Sequence, residues 1–185
     1  MQKIEIESSY RENDLGPVLT QLVLDHQPQK IVEFGVYHGY STVHLARGLR
    51  LLRRGHLIAC DLWSEYAFNH TTMNIAQQNI DAHSLSDYAT LWQADYYKWL
   101  ENPGKFDMLH VDISNDGDVI EKTLTKLAPQ IDAGAIVVFE GGSAERDEVE
   151  WMTQFHKRPI NQLQQKFGFE ILDERFPSIS LAMKS

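Results

Sequence analysis

The chain has 185 residues, 43% of them hydrophobic and 23% charged, with a formal net charge of −9 at pH 7. That length suits one domain with a sizeable core, no stretch approaches the ~20 apolar residues of a membrane span, and the acidic balance is the opposite of what gripping phosphate backbones requires. The polar start, Met1 to Arg11, is unlike a signal peptide, and the single Cys60 excludes an internal disulfide and a thiolate metal cage, so the expectation is a cytoplasmic protein with no membrane or nucleic-acid partner.

The chain opens with a helical segment, residues 1–28. Leu15, Val18, Leu19 and Leu22 recur at i, i+3, i+4 and i+7, which predicts an amphipathic helix over about 14–27, with Asp14 as N-cap and Pro28 as its stop. Residues 30–34 read as a short apolar strand. A helix begins near Ser41 and places Leu45, Leu49 and Leu52 on one face, until Gly55 stops it. Arg47, Arg50, Arg53 and Arg54 lie at its end, where cations meet the negative end of the macrodipole; a phosphate-binding patch is the other reading.

His56 to Cys60 form a second strand ending at Asp61, and Met73, Ala76 and Ile80 mark the next helix. Strands follow at Tyr88 to Gln93 and Phe106 to Val111, then a helix carrying Ile120, Leu124 and Leu127. Pro129 and Gly134 turn the chain into Ala135 to Phe139, an apolar run suited to a buried central strand. Phe169 to Leu172 and Ile179 to Met183 have only a short turn around Pro177 between them, so they pair antiparallel. This alternation predicts an α/β fold: a Rossmann-like, doubly wound sheet, mostly parallel, with a C-terminal antiparallel hairpin, in three α/β/α layers and one domain spanning 1–185.

Ligands of such sheets bind at the carboxyl ends of the strands. Five acids stand there: Glu33, Asp61, Asp95 after Ala94, Asp112 and Glu140. A carboxylate in that place can accept from an ammonium, from ribose hydroxyls or from an adenine amino group, or can hold a metal. After the first strand, Glu33-x-Gly35-x-x-x-Gly39-x-Ser41 spaces its glycines more widely than the Gly-x-Gly-x-x-Gly of dinucleotide folds; it reads as a cofactor loop or as a tight turn that needs glycine. Asp61 suits the two ribose hydroxyls, Trp63 either covers an adenosine or packs beneath the loop, and Asp95 either meets adenine or caps the helix after it. His110 precedes Asp112 by two residues and shares its strand face, as a general base or as a histidine bonded within the sheet. His38 lies in the loop itself.

Val32-Glu33-Phe34-Gly35-Val36-Tyr37-His38-Gly39-Tyr40-Ser41, Asp61-Leu62-Trp63, Ala94-Asp95 and Phe106-Asp107-Met108-Leu109-His110-Val111-Asp112 resemble class I S-adenosylmethionine-dependent methyltransferases. The likeness is to the small O-methyltransferases of catechol, macrocin and caffeoyl-CoA type, and covers roughly residues 15–140. It implies methyl transfer to a small-molecule acceptor, most naturally at oxygen, with S-adenosylmethionine as cofactor. Glu33 would face the cofactor's amino group or sugar. Gly35, Tyr37, Gly39 and Ser41 would shape its loop, Asp61 and Trp63 would hold the ribose side, and Ala94 and Asp95 would border the adenine. Asp112, His110 and Glu140 would form the catalytic group.

In catechol-type enzymes the acid matching Asp112 binds a divalent cation with an Asp-Asn or Asp-Asp pair after the fifth strand. Here that strand ends Glu140-Gly141, so Asp112 and Glu140 would be the ligands of Mg²⁺ or another divalent cation, with Asn115, Asp116 or Asp118 completing the set or only capping the next helix. Residues 141–161 read either as a substrate lid, with Arg146, Trp151, His156, Lys157 and Arg158 as contacts, or as a solvated helix burying Trp151 and Phe155. A homodimer is compatible with so short a chain. The rival functions are a non-catalytic nucleoside-binding module on the same fold and an NAD-dependent oxidoreductase.

Overall fold

Seven strands run in the order β3-β2-β1-β4-β5-β7-β6, mostly parallel with an antiparallel C-terminal pair: the Rossmann-like α/β arrangement expected. The computed structural model describes residues 4–65 and 71–184; the first three residues of the polar N-terminal segment lie outside them. No described helix is long and apolar enough to cross a membrane. The chain divides into two units, Met1–Phe106 and Asp107–Ser185.

The first unit alternates α1 (Leu15–His26), β1 (Lys30–Phe34), α2 (Tyr40–Leu52), β2 (His56–Asp61), α3 (Met73–Ala82), β3 (Ala89–Gln93) and α4 (Tyr96–Glu101). β1 pairs with β2 and β2 with β3, both parallel, in a register that sets Val32 opposite Ile58 and Leu57 opposite Ala89. Helix α1 ends at Gln27, left-handed at φ 50°, just before Pro28. Asp14 holds the N-cap position but is itself left-handed and makes no side-chain cap, a departure from the expected hydrogen bond. α1 lies close on α2 because two small residues allow it. A Cβ on Gly16 would come within 2.2 Å of His44 Nε2, and one on Gly48 within 2.6 Å of Val23. Between them Thr20 donates to the His44 carbonyl at 2.9 Å.

The second unit contains β4 (Met108–Val111), α5 (Gly117–Asp132), β5 (Ile136–Glu140), α6 (Ala144–Asp147), α7 (Glu150–Gln154), α8 (Gln164–Phe167), β6 (Glu170–Asp173) and β7 (Ile179–Ala182). β4 and β5 are parallel; β7 pairs antiparallel with both β5 and β6, the latter across a bulge at Ile171/Asp173. All five residues of β5 are buried, as an apolar run in a central strand should be. Strand β4 starts two residues later than the sequence suggests, and Phe106 instead meets Trp99, ring centroids 6.0 Å apart.

Candidate active site

The loop between β1 and α2 is built around one carboxylate. Asp61, the last residue of β2, accepts the Val36 and Tyr37 amides on Oδ2 at 2.8 and 3.1 Å and the Trp63 amide on Oδ1 at 3.0 Å. Backbone bonds from Gly35 N to Cys60 O and from Ala94 N to Asp61 O, both 3.0 Å, add the ends of β1 and β3 to the same knot. Gly35 and Gly39 take φ of 90° and 86°, a region where a Cβ is strained. Gly39 itself is the N-cap of α2. The helix therefore starts one residue before Ser41, which lies buried in the first turn. The anticipated serine cap is displaced by the glycine turn that closes ahead of it.

Glu33 is fully buried and accepts the Thr42 hydroxyl at 2.6 Å, so it braces the start of α2 from within. Trp63 is also buried, at 2% exposure, and its indole N–H has no hydrogen-bond partner among the described residues. Of its two sequence readings, packing is the one seen, with a donor left over. Asp95 is the N-cap of α4 and accepts from the Tyr97 and Lys98 amides at 2.8 and 3.1 Å. Burial, with Glu33 and Asp61 adding, pushes the Cys60 thiol up to about 12, which leaves it inert as a nucleophile.

Tyr37, left-handed at φ 50°, lies flat on His38 with ring centroids 4.0 Å apart. Both reach Glu7: the Tyr37 hydroxyl donates to Oε1 at 3.1 Å, and His38 Nδ1 stands 3.6 Å from Oε2. Burial first, then Glu7, raises the Tyr37 phenol. Glu7 was not foreseen, and its acidic N-terminal segment carries no local pattern that would single it out.

In the second unit Glu140 is not an open ligand. It is buried, and its two oxygens accept from Arg146 Nε at 2.5 Å and Nη2 at 2.9 Å. Arg146 is 2% exposed, also donates to the Asn115 carbonyl at 2.8 Å, and lies over the Trp151 ring at 4.9 Å. Burial pushes the Glu140 carboxyl up against the pull of the guanidinium. Burial alone would lower Arg146, but Glu140, then Asp147 and Asp112, outweigh it and raise it. Two N–H donors on two oxygens require the carboxylate to be ionised, so the group is a buried ion pair.

The remaining metal candidates are also engaged. Asn115 is buried and donates to the Val111 and Glu140 carbonyls at 2.9 and 2.8 Å. Asp116 is the N-cap of α5, accepting from Asp118 and Val119 amides, and pairs with Lys157 at 3.0 Å. Asp118 pairs with Arg158. Among the described residues no three His, Cys, Asp or Glu side chains gather as a metal site. His110 is fully buried on β4, whereas Asp112, just past its end, is half-buried.

Residues 141–161 are two short helices. Arg146 is inside, Trp151 packs on it, Met152 is buried, and Phe155 stands 62% exposed; the expected i, i+4 burial of Trp151 with Phe155 does not occur. Lys157 and Arg158 point to α5, as above, and Asp147 accepts the Ile160 and Asn161 amides at 2.9 and 2.7 Å. Gly141 and Gly142 have φ of 107° and 111°, and Cβ atoms there would come within 2.5 Å of Ile160 and 2.3 Å of the Ser180 hydroxyl. The position after Glu140 is glycine because the chain has no room for a side chain.

A family model described as a methyltransferase domain matches residues 32–140, more than half of the chain. No curated protein sequence matches. Among solved structures, cofactor-bound Rv0187 from MTB is similar at 17% identity over 99% of this chain and 83% of that one, TM-score 0.66. The O-methyltransferase TomG from Streptomyces achromogenes, involved in tomaymycin synthesis and crystallised with SAM, is similar at 18% identity over 96% and 86%, TM-score 0.62. An O-methyltransferase from Bacillus cereus in complex with SAH is similar at 19% identity over 92% and 81%, TM-score 0.61.

Proposed function

Since the chain belongs to the family of methyltransferase domains, we propose that it transfers a methyl group from S-adenosylmethionine to an oxygen of a small-molecule acceptor. The observation that carries the reading is the Asp61 knot: a carboxylate at the end of β2 orders the backbone of a glycine loop after β1. The residues there suit a nucleoside-bearing cation. Asp61 is only half-buried and its carboxylate is an acceptor, the buried Trp63 N–H has no hydrogen-bond partner among the described residues, and Gly35 and Gly39 let a ligand approach the backbone. S-adenosylmethionine supplies, when bound, a methyl group already activated on sulfur.

The protein's part is to orient the acceptor and take its proton. Of Asp112, His110 and Glu140, Asp112 is the one not buried, so we assign it the proton-accepting role. Glu140 positions rather than reacts, through Arg146. The donor set does not fit a divalent cation at Asp112 and Glu140, because Arg146 occupies both Glu140 oxygens. Transfer is therefore proposed to proceed without added metal and to survive EDTA.

Titration calorimetry with S-adenosylmethionine and S-adenosylhomocysteine tests the assignment. Both should bind. Asp61→Ala should weaken S-adenosylhomocysteine roughly tenfold or more, as loss of hydrogen bonds to a charged acceptor does. Absence of binding to either ligand would overturn the cofactor assignment; an unchanged affinity in Asp61→Ala would overturn the role of Asp61.

A further inference from the structure

Before α1 the chain runs extended, with apolar and acidic residues alternating as Ile4-Glu5-Ile6-Glu7. Alternation sends the two isoleucines to one side and the two glutamates to the other. The structure keeps that division: Ile4 and Ile6 are buried, and Glu5 and Glu7 are exposed. A 3-10 turn, Ser9–Arg11, follows, in which Ser8 Oγ accepts the Tyr10 amide at 3.2 Å and Tyr10 is fully buried. Among the described residues, residues 4–7 make no backbone hydrogen bond. Side chains alone hold this stretch to the fold, which puts it at the low end of local stability.

The Glu7 carboxylate spans two rings. Oε1 accepts the Tyr37 hydroxyl at 3.1 Å, and Oε2 stands 3.6 Å from His38 Nδ1. The rings are parallel to within 3°, with centroids 4.0 Å apart, so one carboxylate fixes a two-ring plate. The plate hangs from the loop between β1 and α2. The backbone of that loop is pinned from other sides: Tyr37 N on Asp61 Oδ2 at 3.1 Å, Gly39 N on the Val36 carbonyl at 2.8 Å, and Asn79 Nδ2 on the His38 carbonyl at 2.8 Å. Tyr37 is left-handed at φ 50° without being glycine, a conformation that persists where surrounding contacts over-determine it. Glu7 supplies the hydrogen bond to its side chain. Burial first, then Glu7, raises the phenol, so its O–H remains a donor throughout the neutral range.

We propose that Glu7 is a positioning residue for the cofactor loop: by holding Tyr37 and His38 it keeps the Val36–Gly39 backbone in the conformation that receives S-adenosylmethionine. The inference rests on the reading of this loop as the cofactor site. Glu7 touches no part of that site except the two rings, and it acts through them. A loop already ordered before the ligand arrives loses less freedom on binding, so the contact raises affinity without touching the ligand. Glu7 is 70% exposed in its side chain, which limits the gain to that of a solvent-screened contact. Glu5, on the same side of the segment and with the same charge, makes no such contact among the described residues.

Titration calorimetry with S-adenosylhomocysteine on the full chain and a set of variants tests this. Glu7→Ala and Tyr37→Phe should each weaken binding roughly threefold or more. The double variant should be no weaker than the worse single one by more than about twofold, because both changes delete one contact. Glu7→Gln keeps an acceptor for the Tyr37 hydroxyl and should stay within about twofold of the parent; so should Glu5→Ala. The ligand-free melt of Glu7→Ala should lie within about 2 °C of the parent, since an exposed side chain is removed. No binding to the parent chain would overturn the cofactor reading and this proposal with it. If the parent binds, an unchanged affinity in Glu7→Ala, an equal loss in Glu5→Ala or Glu7→Gln, or fully additive losses in the double variant would overturn the proposal alone. A Glu7→Ala melt lowered by more than about 5 °C would make the residue structural and overturn it too.

Discussion

Replacing Arg146 with Met would leave the Glu140 carboxylate buried without a cation. The side chain removed is 2% exposed and donates three charge-assisted hydrogen bonds, two to Glu140 and one to the Asn115 carbonyl. Breaking one partner out of a buried ion pair costs about 3–5 kcal/mol. For a chain of this length each kcal/mol lowers Tm by about 2–4 °C, so the melt should drop by roughly 6–20 °C. The deficit should grow with pH. Burial already raises Glu140 in the folded state, and losing Arg146 raises it further. A group raised on folding stabilises below its unfolded value and loses that contribution as pH rises through its folded value. The variant should therefore lie closest to the parent near pH 4.5 and furthest from it near pH 8. Urea unfolding at several pH values, with the midpoint read at constant slope, measures this. The double variant Arg146→Met/Glu140→Gln removes the orphaned charge and should regain part of the loss. A deficit under about 1 kcal/mol that is flat with pH, with no recovery in the double variant, would refute the argument.

Two further expectations concern stability. Burial, then Arg47 and His83, holds His44 down to about 4 from 6.5. The folded state thus binds fewer protons than the unfolded chain between those values, and stability present above pH 6.5 is lost as pH falls through the window, by about 3 kcal/mol at full extent. Thermal melts from pH 7 to 4 should show that slope, and His44→Gln should flatten it; an unchanged slope would exclude His44 as its source. Gly142→Ala sets a Cβ 2.3 Å from the Ser180 hydroxyl at φ 111°. That hydroxyl would have to leave the Gly141 carbonyl it bonds at 2.7 Å. With strain of about 1–2 kcal/mol from the backbone alone, chemical unfolding should show a loss of 2 kcal/mol or more, and a neutral result would mean the turn relaxes freely.

Much of the loop after β1 was legible because its signals are local. Glycines at 35 and 39 after an apolar strand announce a turn whatever lies around them, and Asp116 and Asp95 hold the helix-start positions where an acid accepts free amides. From the sequence Arg146 reads as a lid contact or as part of a solvated helix, because a guanidinium in a charge-rich run carries no sign of burial, whereas in the structure it is buried against Glu140. Only the backbone path through two left-handed glycines brings it back onto Glu140, six residues earlier. Glu7 escaped notice for the same reason: it meets Tyr37 and His38 from some thirty positions away.

The alternation of apolar strands and amphipathic helices, the helix-free turn between the last two strands, and the acids at the strand ends were determined by the sequence alone, since each rests on spacing along a few residues. How buried each of these carboxylates is, and what it bonds to, was decided only by tertiary structure. Asp61, Glu140 and Asp112 look alike as letters at strand ends. Asp61 accepts backbone amides, Glu140 accepts a buried guanidinium, and Asp112 is half-buried just past β4. A carboxylate's chemistry depends on its partners and its desolvation, and both are supplied by residues that the chain brings near only when it folds.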